Sequence, residues 1–198
     1  MRKIDARVVV LVALSRAGKD TAAGYLAKKY GFFRVGFSDM LKAELSRLRL
    51  VHSKENMVRL GNDLRRAHGN DIVARLAVQK AVNSRRRRIV FSGARSPEEI
   101  RLIRRTFART LVLAIQSDVA IRQSRALKAG WSEKNLSAKD HDDIEHKGLR
   151  QALSLADGVV ENNSTRRAFN ENLDFAMSSF RLKRSGQQHA RRRSAVVG

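Results

Sequence analysis

Val8-Val9-Val10-Leu11-Val12-Ala13-Leu14-Ser15-Arg16-Ala17-Gly18-Lys19-Asp20-Thr21 is the stretch on which the fold turns. Residues 8–12 are apolar without a break and β-branched almost throughout, as expected of a parallel strand buried on both faces. Residues 15–18 form a turn of small residues around one arginine, and a helical pattern follows over 19–29, with Ala22, Ala23, Leu26 and Ala27 available to pack. Strand, small-residue turn and helix, in that order, are the context of a phosphate-binding loop. Small residues let successive backbone N–H groups point inward at phosphate oxygens, and the helix N-terminus adds its positive dipole end. A lysine reaches the outer phosphates, and a hydroxyl near the helix start serves phosphate or magnesium. Gly18, Lys19 and Thr21 supply these parts, and Ser15, Arg16, Ala17 and Asp20 complete the loop. Two positions depart from the usual pattern. Ala13 stands where a first glycine is common, and Asp20 moves the hydroxyl one place along.

Working outward, strands are expected at 32–37, 88–91, 111–115 and 158–160. Asp39 can cap a helix beginning near Leu41. Residues 54–83 read as helices broken near His68-Gly69-Asn70. Pro97, followed by Glu98 and Glu99, reads as a helix start. Residues 119–129 look helical, 130–142 polar and mobile, and 165–180 a closing helix. Strands alternating with helices predict an α/β fold of three layers, a five-stranded parallel sheet with helices on both faces.

The chain has 198 residues, which suits one such domain, expected over 1–181, with a basic tail over 182–198 that has no fixed structure without a partner. With no cysteine, disulfides and thiolate metal sites are excluded. No apolar run approaches the roughly 20 residues of a membrane helix. The residues before the first strand are too few for a targeting peptide, so a soluble, cytoplasmic protein without membrane contact is expected. The net charge is +22. The tail carries five of these charges (Lys183, Arg184, Arg191, Arg192 and Arg193) and no acid. Such a charge attracts polyanions, or it reflects an arginine-rich composition that decorates the surface. The run Arg85, Arg86, Arg87 and Arg88 reads either as a nucleic-acid contact or as a solvated loop.

The motifs follow one another in a telling order. Gly18-Lys19-Asp20-Thr21 precedes Tyr30-Gly31-Phe32 and Phe37-Ser38-Asp39-Met40-Leu41-Lys42. Gly61-Asn62-Asp63-Leu64-Arg65, Ser92-Gly93-Ala94-Arg95-Ser96-Pro97-Glu98-Glu99, Arg122 with Arg125, and Ala156-Asp157-Gly158-Val159-Val160-Glu161-Asn162-Asn163-Ser164 come after. Over about 7–180 the chain resembles P-loop small-molecule kinases of the dephospho-CoA kinase and deoxynucleoside-monophosphate kinase branch. The resemblance implies ATP and magnesium as cofactors and a phosphorylatable, nucleotide-like or CoA-like acceptor. It gives Lys19 the donor phosphates and Thr21 phosphate or magnesium. Asp39 would orient the acceptor hydroxyl or hold the metal. Arg65 and Arg95 would clamp acceptor phosphates. Arg122 and Arg125 would be lid arginines, within a lid at about 119–145, and Asn162 and Asn163 would pass the adenine ring.

Each residue also has a plainer reading. Asp39 can be a helix cap, Arg65 a solvated helix face, and Arg122 with Arg125 a basic stripe at i, i+3 spacing. Asn162 and Asn163 can simply make a turn. Trp131 can stack on a base or pack under the lid. The segment 140–146, rich in Asp and His, reads as an exposed helix near the lid, with a metal site there a minor alternative. Related kinases usually carry an aspartate where Ser92 stands, and a serine cannot supply that charge. Asp39 or Asp118 could compensate. The sequence is therefore compatible with two functions. One is an ATP-dependent phosphotransferase. The other is a basic RNA- or ribonucleoprotein-binding protein on a kinase fold, with weak or lost catalysis.

Overall fold

The computed structural model describes residues 3–178. The basic tail expected at 182–198 lies outside the described residues, as does the end of the closing helix. The elements run β1 (Ile4–Val12), α1 (Lys19–Tyr30), β2 (Phe33–Gly36), α2 (Phe37–Arg47), α3 (Lys54–His68), α4 (Ile72–Asn83), β3 (Arg88–Ala94), α5 (Pro97–Thr106) and β4 (Phe107–Gln116). They continue with α6 (Val119–Leu127), α7 (Glu133–His141), a π-helical turn (Asp142–His146), α8 (Leu149–Ser154), β5 (Gly158–Glu161) and α9, helical over 166–178.

The five strands form one parallel sheet in the order β2-β3-β1-β4-β5. β1 is central, with Val9 level with Val90 of β3 and Leu111 of β4. Its unbroken apolar run follows from this position, because alternate residues feed two different cores. Val8, Val10 and Val12 join the cluster built with α2, α4 and α5. Val9 and Leu11 face the other way, onto Leu26 of α1 and Phe169 and Leu173 of α9. Phe91 sits at the centre of the first cluster, with ring centroids 6.4 Å from Phe37 and 5.9 Å from Phe107. Among the described residues no helix is long and apolar enough to cross a membrane.

Several boundaries differ from expectation. α2 begins at Phe37, so Asp39 lies inside its first turn and does not cap it. β1 and β4 are longer than their apolar centres, because their outer residues still pair in the ladders. The segment read as mobile at 130–142 is largely the helix α7, capped by Ser132, whose hydroxyl accepts the Asn135 N–H. One buried apolar residue, Leu136, anchors that helix, too little to give a periodic signal. The segment 140–146 is not simply exposed, since Asp143 is buried. α5 begins at Pro97 as read, with a complete capping box between Ser96 and Glu99.

Phe91→Ala removes a fully buried ring between two aromatic neighbours. It is expected to destabilise the fold by about 3–5 kcal/mol, measured by urea denaturation.

Candidate active site

With β1 between β3 and β4, the strand order reverses at the loop 13–18, and a crevice opens at the carboxyl ends of the strands. The loop has left-handed backbone at Arg16 (φ 65°) and Gly18 (φ 111°). At Arg16 this conformation costs about 1–2 kcal/mol, which the surroundings must hold. The hold comes from behind. Asn162, at the end of β5, donates from Nδ2 to the Ala17 carbonyl at 2.7 Å. A Cβ on Gly18 would lie 2.2 Å from that nitrogen. Arg125 donates from Nη2 to the Asn162 carbonyl (2.9 Å) and Oδ1 (3.2 Å). Its Nη1 donates to the Ser117 hydroxyl at 3.0 Å and reaches the Arg16 and Ala17 carbonyls at 3.4 Å.

Arg122 is buried and donates from Nη1 to the Ser15 carbonyl (3.1 Å) and to Asp140 Oδ2 (2.5 Å). Asp140 Oδ1 in turn accepts the Ser15 N–H at 3.3 Å. Both arginines expected in a lid therefore brace the phosphate loop here. Arg125 also reaches the cavity wall, and Arg122 does not.

The cavity over the loop measures about 810 Å³. Ser15, Arg16, Gly18, Lys19, Asp20 and Thr21 line it, while Ala13 and Ala17 are buried behind. Lys19 packs its stem against Gly93, where an added Cβ would lie 3.8 Å from Cε, and its ammonium rests 3.0 Å from Asp20 Oδ2. Ser92, buried at the end of β3, donates its hydroxyl to Asp20 Oδ1 at 2.7 Å. Arg34 lies 3.5 Å from the same oxygen. Burial pushes the Asp20 carboxyl up, but Lys19, the Ser92 hydroxyl and Arg34 outweigh it and hold it below its ordinary value.

Away from the loop, the cavity ends in a basic cluster. Arg95 Nε lies 3.3 Å from Asp143 Oδ2. Lys139 and Lys147 both donate to Asp142 and Asp143, with Lys139 3.3 Å from Asp142 and Lys147 3.1 Å from Asp143. Burial, then the Arg95 charge, push Lys139 down to about 8. Arg65 contributes beside them. Its Nη2 donates to Glu99 at 3.3 Å and its Nη1 to the Gly61 carbonyl at 3.2 Å. Its Nε is buried without a partner. Glu99 also accepts the Arg95 N–H at 2.6 Å, and burial raises its carboxyl above the usual range. Trp131, from the α6–α7 turn, lies under Arg16 (4.4 Å to the ring centre) and Lys54 (3.7 Å). It thereby joins three elements at the cavity wall.

Ten cationic side chains and a single carboxylate, Asp20, line the cavity among the described residues. Such a wall suits ligands with several negative charges. Besides Ala13, Ala17 and Arg122, two more expected residues fall outside the lining. Asp39 folds its carboxylate back over Gly36, 2.5 Å from where a Cβ would stand, beside the positive end of α2. Asn163 pairs with Asp118, donating to its Oδ1 at 3.0 Å and accepting its N–H at 2.9 Å. Lys139, Lys147, Lys42, Lys54 and Arg166 also line the wall and were not foreseen. The spacing Lys139, Asp143, Lys147 was a usable signal, since i, i+4 residues share a helix face. No group of three or more His, Cys, Asp or Glu among the described residues could hold a metal ion.

No family model matches the chain. It is 26% identical over 180 residues to a UPF0200 protein of Methanosarcina barkeri, covering 88% of this chain and 96% of that protein. To a UPF0200 protein of Pyrococcus horikoshii it is 26% identical over 179 residues, covering 86% and 96%. Among solved structures, it is similar to TT1252 from Thermus thermophilus (TM-score 0.60, 18% identity, covering 89% of this chain and 98% of that one). It is also similar to a gluconokinase from Sinorhizobium meliloti (TM-score 0.59, 10% identity, covering 94% and 99%). A shikimate kinase from Acinetobacter baumannii in complex with shikimate gives a TM-score of 0.55 at 18% identity, covering 91% and 94%. The fold is that of the P-loop NTPases, in its kinase-like form. These neighbours do not single out the dephospho-CoA kinase branch.

Gly18→Ala forces a Cβ into both a left-handed backbone and the Asn162 amide. It is expected to cost at least about 1–2 kcal/mol of stability, seen as a lower Tm.

Proposed function

We propose that this chain is an ATP-dependent phosphotransferase acting on a small anionic acceptor, nucleotide-like or CoA-like. The observation that carries this reading is the charge of one continuous cavity, which runs from the phosphate loop to the cluster of Arg95, Lys139 and Lys147. ATP would lie with its phosphates on the backbone N–H groups of the loop and on Lys19. Its base would lie toward Asn162, Arg125 and Arg166. The acceptor's own anionic group would meet Arg65, Arg95, Lys139 and Lys147. Magnesium, when bound, would neutralise charge on the outer phosphates. Phosphoryl transfer asks the protein mainly for alignment and positive charge on the equatorial oxygens, and Lys19 with the wall arginines can give both. Trp131, with Arg16 and Lys54 over its ring, would exclude water from the mouth.

The kinase names of the solved neighbours agree with this reaction class. A second reading, an RNA or ribonucleoprotein partner, draws on a different observation. Arg85, Arg86 and Arg87 are exposed just before β3, at the amino ends of the strands, opposite the end where the cavity opens. Nucleic acid that copurifies and survives moderate salt would favour that partner.

ADP release with a panel of nucleoside monophosphates and dephospho-CoA tests the main reading. Turnover on one acceptor, lost in Lys19→Ala, is the expected result. Absence of turnover on every anionic acceptor, with ATP bound, would sink it. The acceptor site should also depend on pH. Lys139 faces Asp142, Asp143, Lys147 and Arg95, and it loses its proton near pH 8. An anion prefers the protonated lysine, so acceptor affinity should fall as pH rises through about 8. The inflection should vanish in Lys139→Arg, read from KM against pH.

A further inference from the structure

We infer that Asp20, oriented by Ser92, is the carboxylate that receives the divalent cation of a bound nucleotide. This rests on the nucleotide-binding reading of the cavity. Ser92 stands near the end of β3 and lines the cavity. Here the serine is buried at that same strand end, and its hydroxyl donates to Asp20 Oδ1 at 2.7 Å. The carboxylate thus stands in the first turn of the helix that follows the loop, with the serine at the strand end as its orienting partner.

Three observations support the assignment. First, Asp20 is the sole carboxylate among the described residues that line the cavity. Second, it stands directly before Thr21, the loop hydroxyl, at the start of α1, so a hard oxygen donor of each kind lies at one edge of the phosphate cradle. Magnesium is commonly held by one or two carboxylates with substrate phosphates and water completing its shell, so one acid suffices. Third, its resting partner is the group the nucleotide would recruit. Oδ2 lies 3.0 Å from the Lys19 ammonium. When Lys19 turns to the phosphates, Oδ2 loses its cation and is free for another.

The other candidate acids are committed elsewhere. Asp39 lies over Gly36, Asp118 holds Asn163, and Asp140 holds Arg122 and the Ser15 N–H. Favourable contact with the helix dipole alone would also place an acid at Asp20. That role would be indifferent to metal, and the following experiment separates the two.

The full chain, Asp20→Asn, and the double variant Asp20→Asn with Ser92→Asp are titrated with ADP by calorimetry, with and without magnesium. Manganese(II) bound in the presence of ADP is counted by electron paramagnetic resonance. In the native chain the metal should strengthen ADP binding. Asp20→Asn should lose about tenfold or more in manganese affinity, while metal-free ADP binding stays equal or tightens. Placing an acid at position 92, next to the vacated position, should recover much of the metal effect. Asp20 is exposed on the cavity surface, so the variant should keep its fold, checked by circular dichroism. A second pair, Asp20→Ser with Ser92→Asp, carries the same test with the two side chains exchanged. Undiminished manganese binding in Asp20→Asn, or no recovery in either paired variant, overturns the inference and leaves the nucleotide site standing. If the native chain binds no ADP under either condition, both readings fall.

Discussion

Asn162 holds the turn between β1 and α1 in shape, and much else follows from that contact. Its amide nitrogen donates to the Ala17 carbonyl, pressed so close to Gly18 that no Cβ fits between them. A phosphate cradle must keep its N–H groups turned inward and unspent, so its carbonyls have to be satisfied from outside. β5 pairs with β4, and β4 with β1, which brings residue 162 to the outer side of the loop. Arg125 then ties Asn162 to the Ser117 hydroxyl and to the loop carbonyls. Arg122 does the same for the Ser15 carbonyl. The sheet order is thus a condition of the loop's geometry as well as of core packing.

The same economy explains how so many cations share one cavity. Like charges at short range are costly in a buried setting unless opposite charges interleave. Behind the basic cluster at the far end, Asp142 and Asp143 lie between Lys139, Lys147 and Arg95. Glu99 does this for Arg65, at a cost visible in its raised carboxyl. These acids face away from the cavity, so the cations are held in place while the lining stays positive. Lys139 records the balance, since burial and Arg95 depress it despite Asp143. An incoming anion would complete a charge arrangement that the protein leaves unfinished on one side.

The central strand, the loop and the layer order were legible because they rest on local rules. Residues 8–12 can be apolar throughout only where both faces are covered, and glycine with lysine at a strand-to-helix turn has few other uses. The far end of the site was not legible, for physical reasons. The segment after α6 has no apolar stripe to betray a helix. Its buried residues include Asp143 and Lys147, which look solvated in a sequence and are buried only because they pair with each other. Asp39 was legible only in part. Its position after β2 suits a catalytic acid, but one turn of α2 begins earlier than its apolar pattern suggested, and the helix dipole draws the carboxylate toward Gly36. The roles of Arg122 and Arg125 were half visible. Their shared helix face was clear, but their attachment to loop carbonyls depends on long-range geometry that spacing does not encode.

The net charge of +22 is best understood as two separate populations. One lines the cavity, where the proposed phosphoryl transfer would use it. The other is outside it. Arg85, Arg86 and Arg87 are exposed before β3, far along the strands from the phosphate loop. Screening over about 8–10 Å at physiological salt separates the two fields, so the outer arginines contribute little to binding in the cavity. A phosphotransferase therefore accounts for the inner population without any appeal to the outer one. Conversely, a polyanion held on the outer edge would leave the cavity open for its nucleotide. The two functional readings thus draw on different residues at opposite ends of the strands.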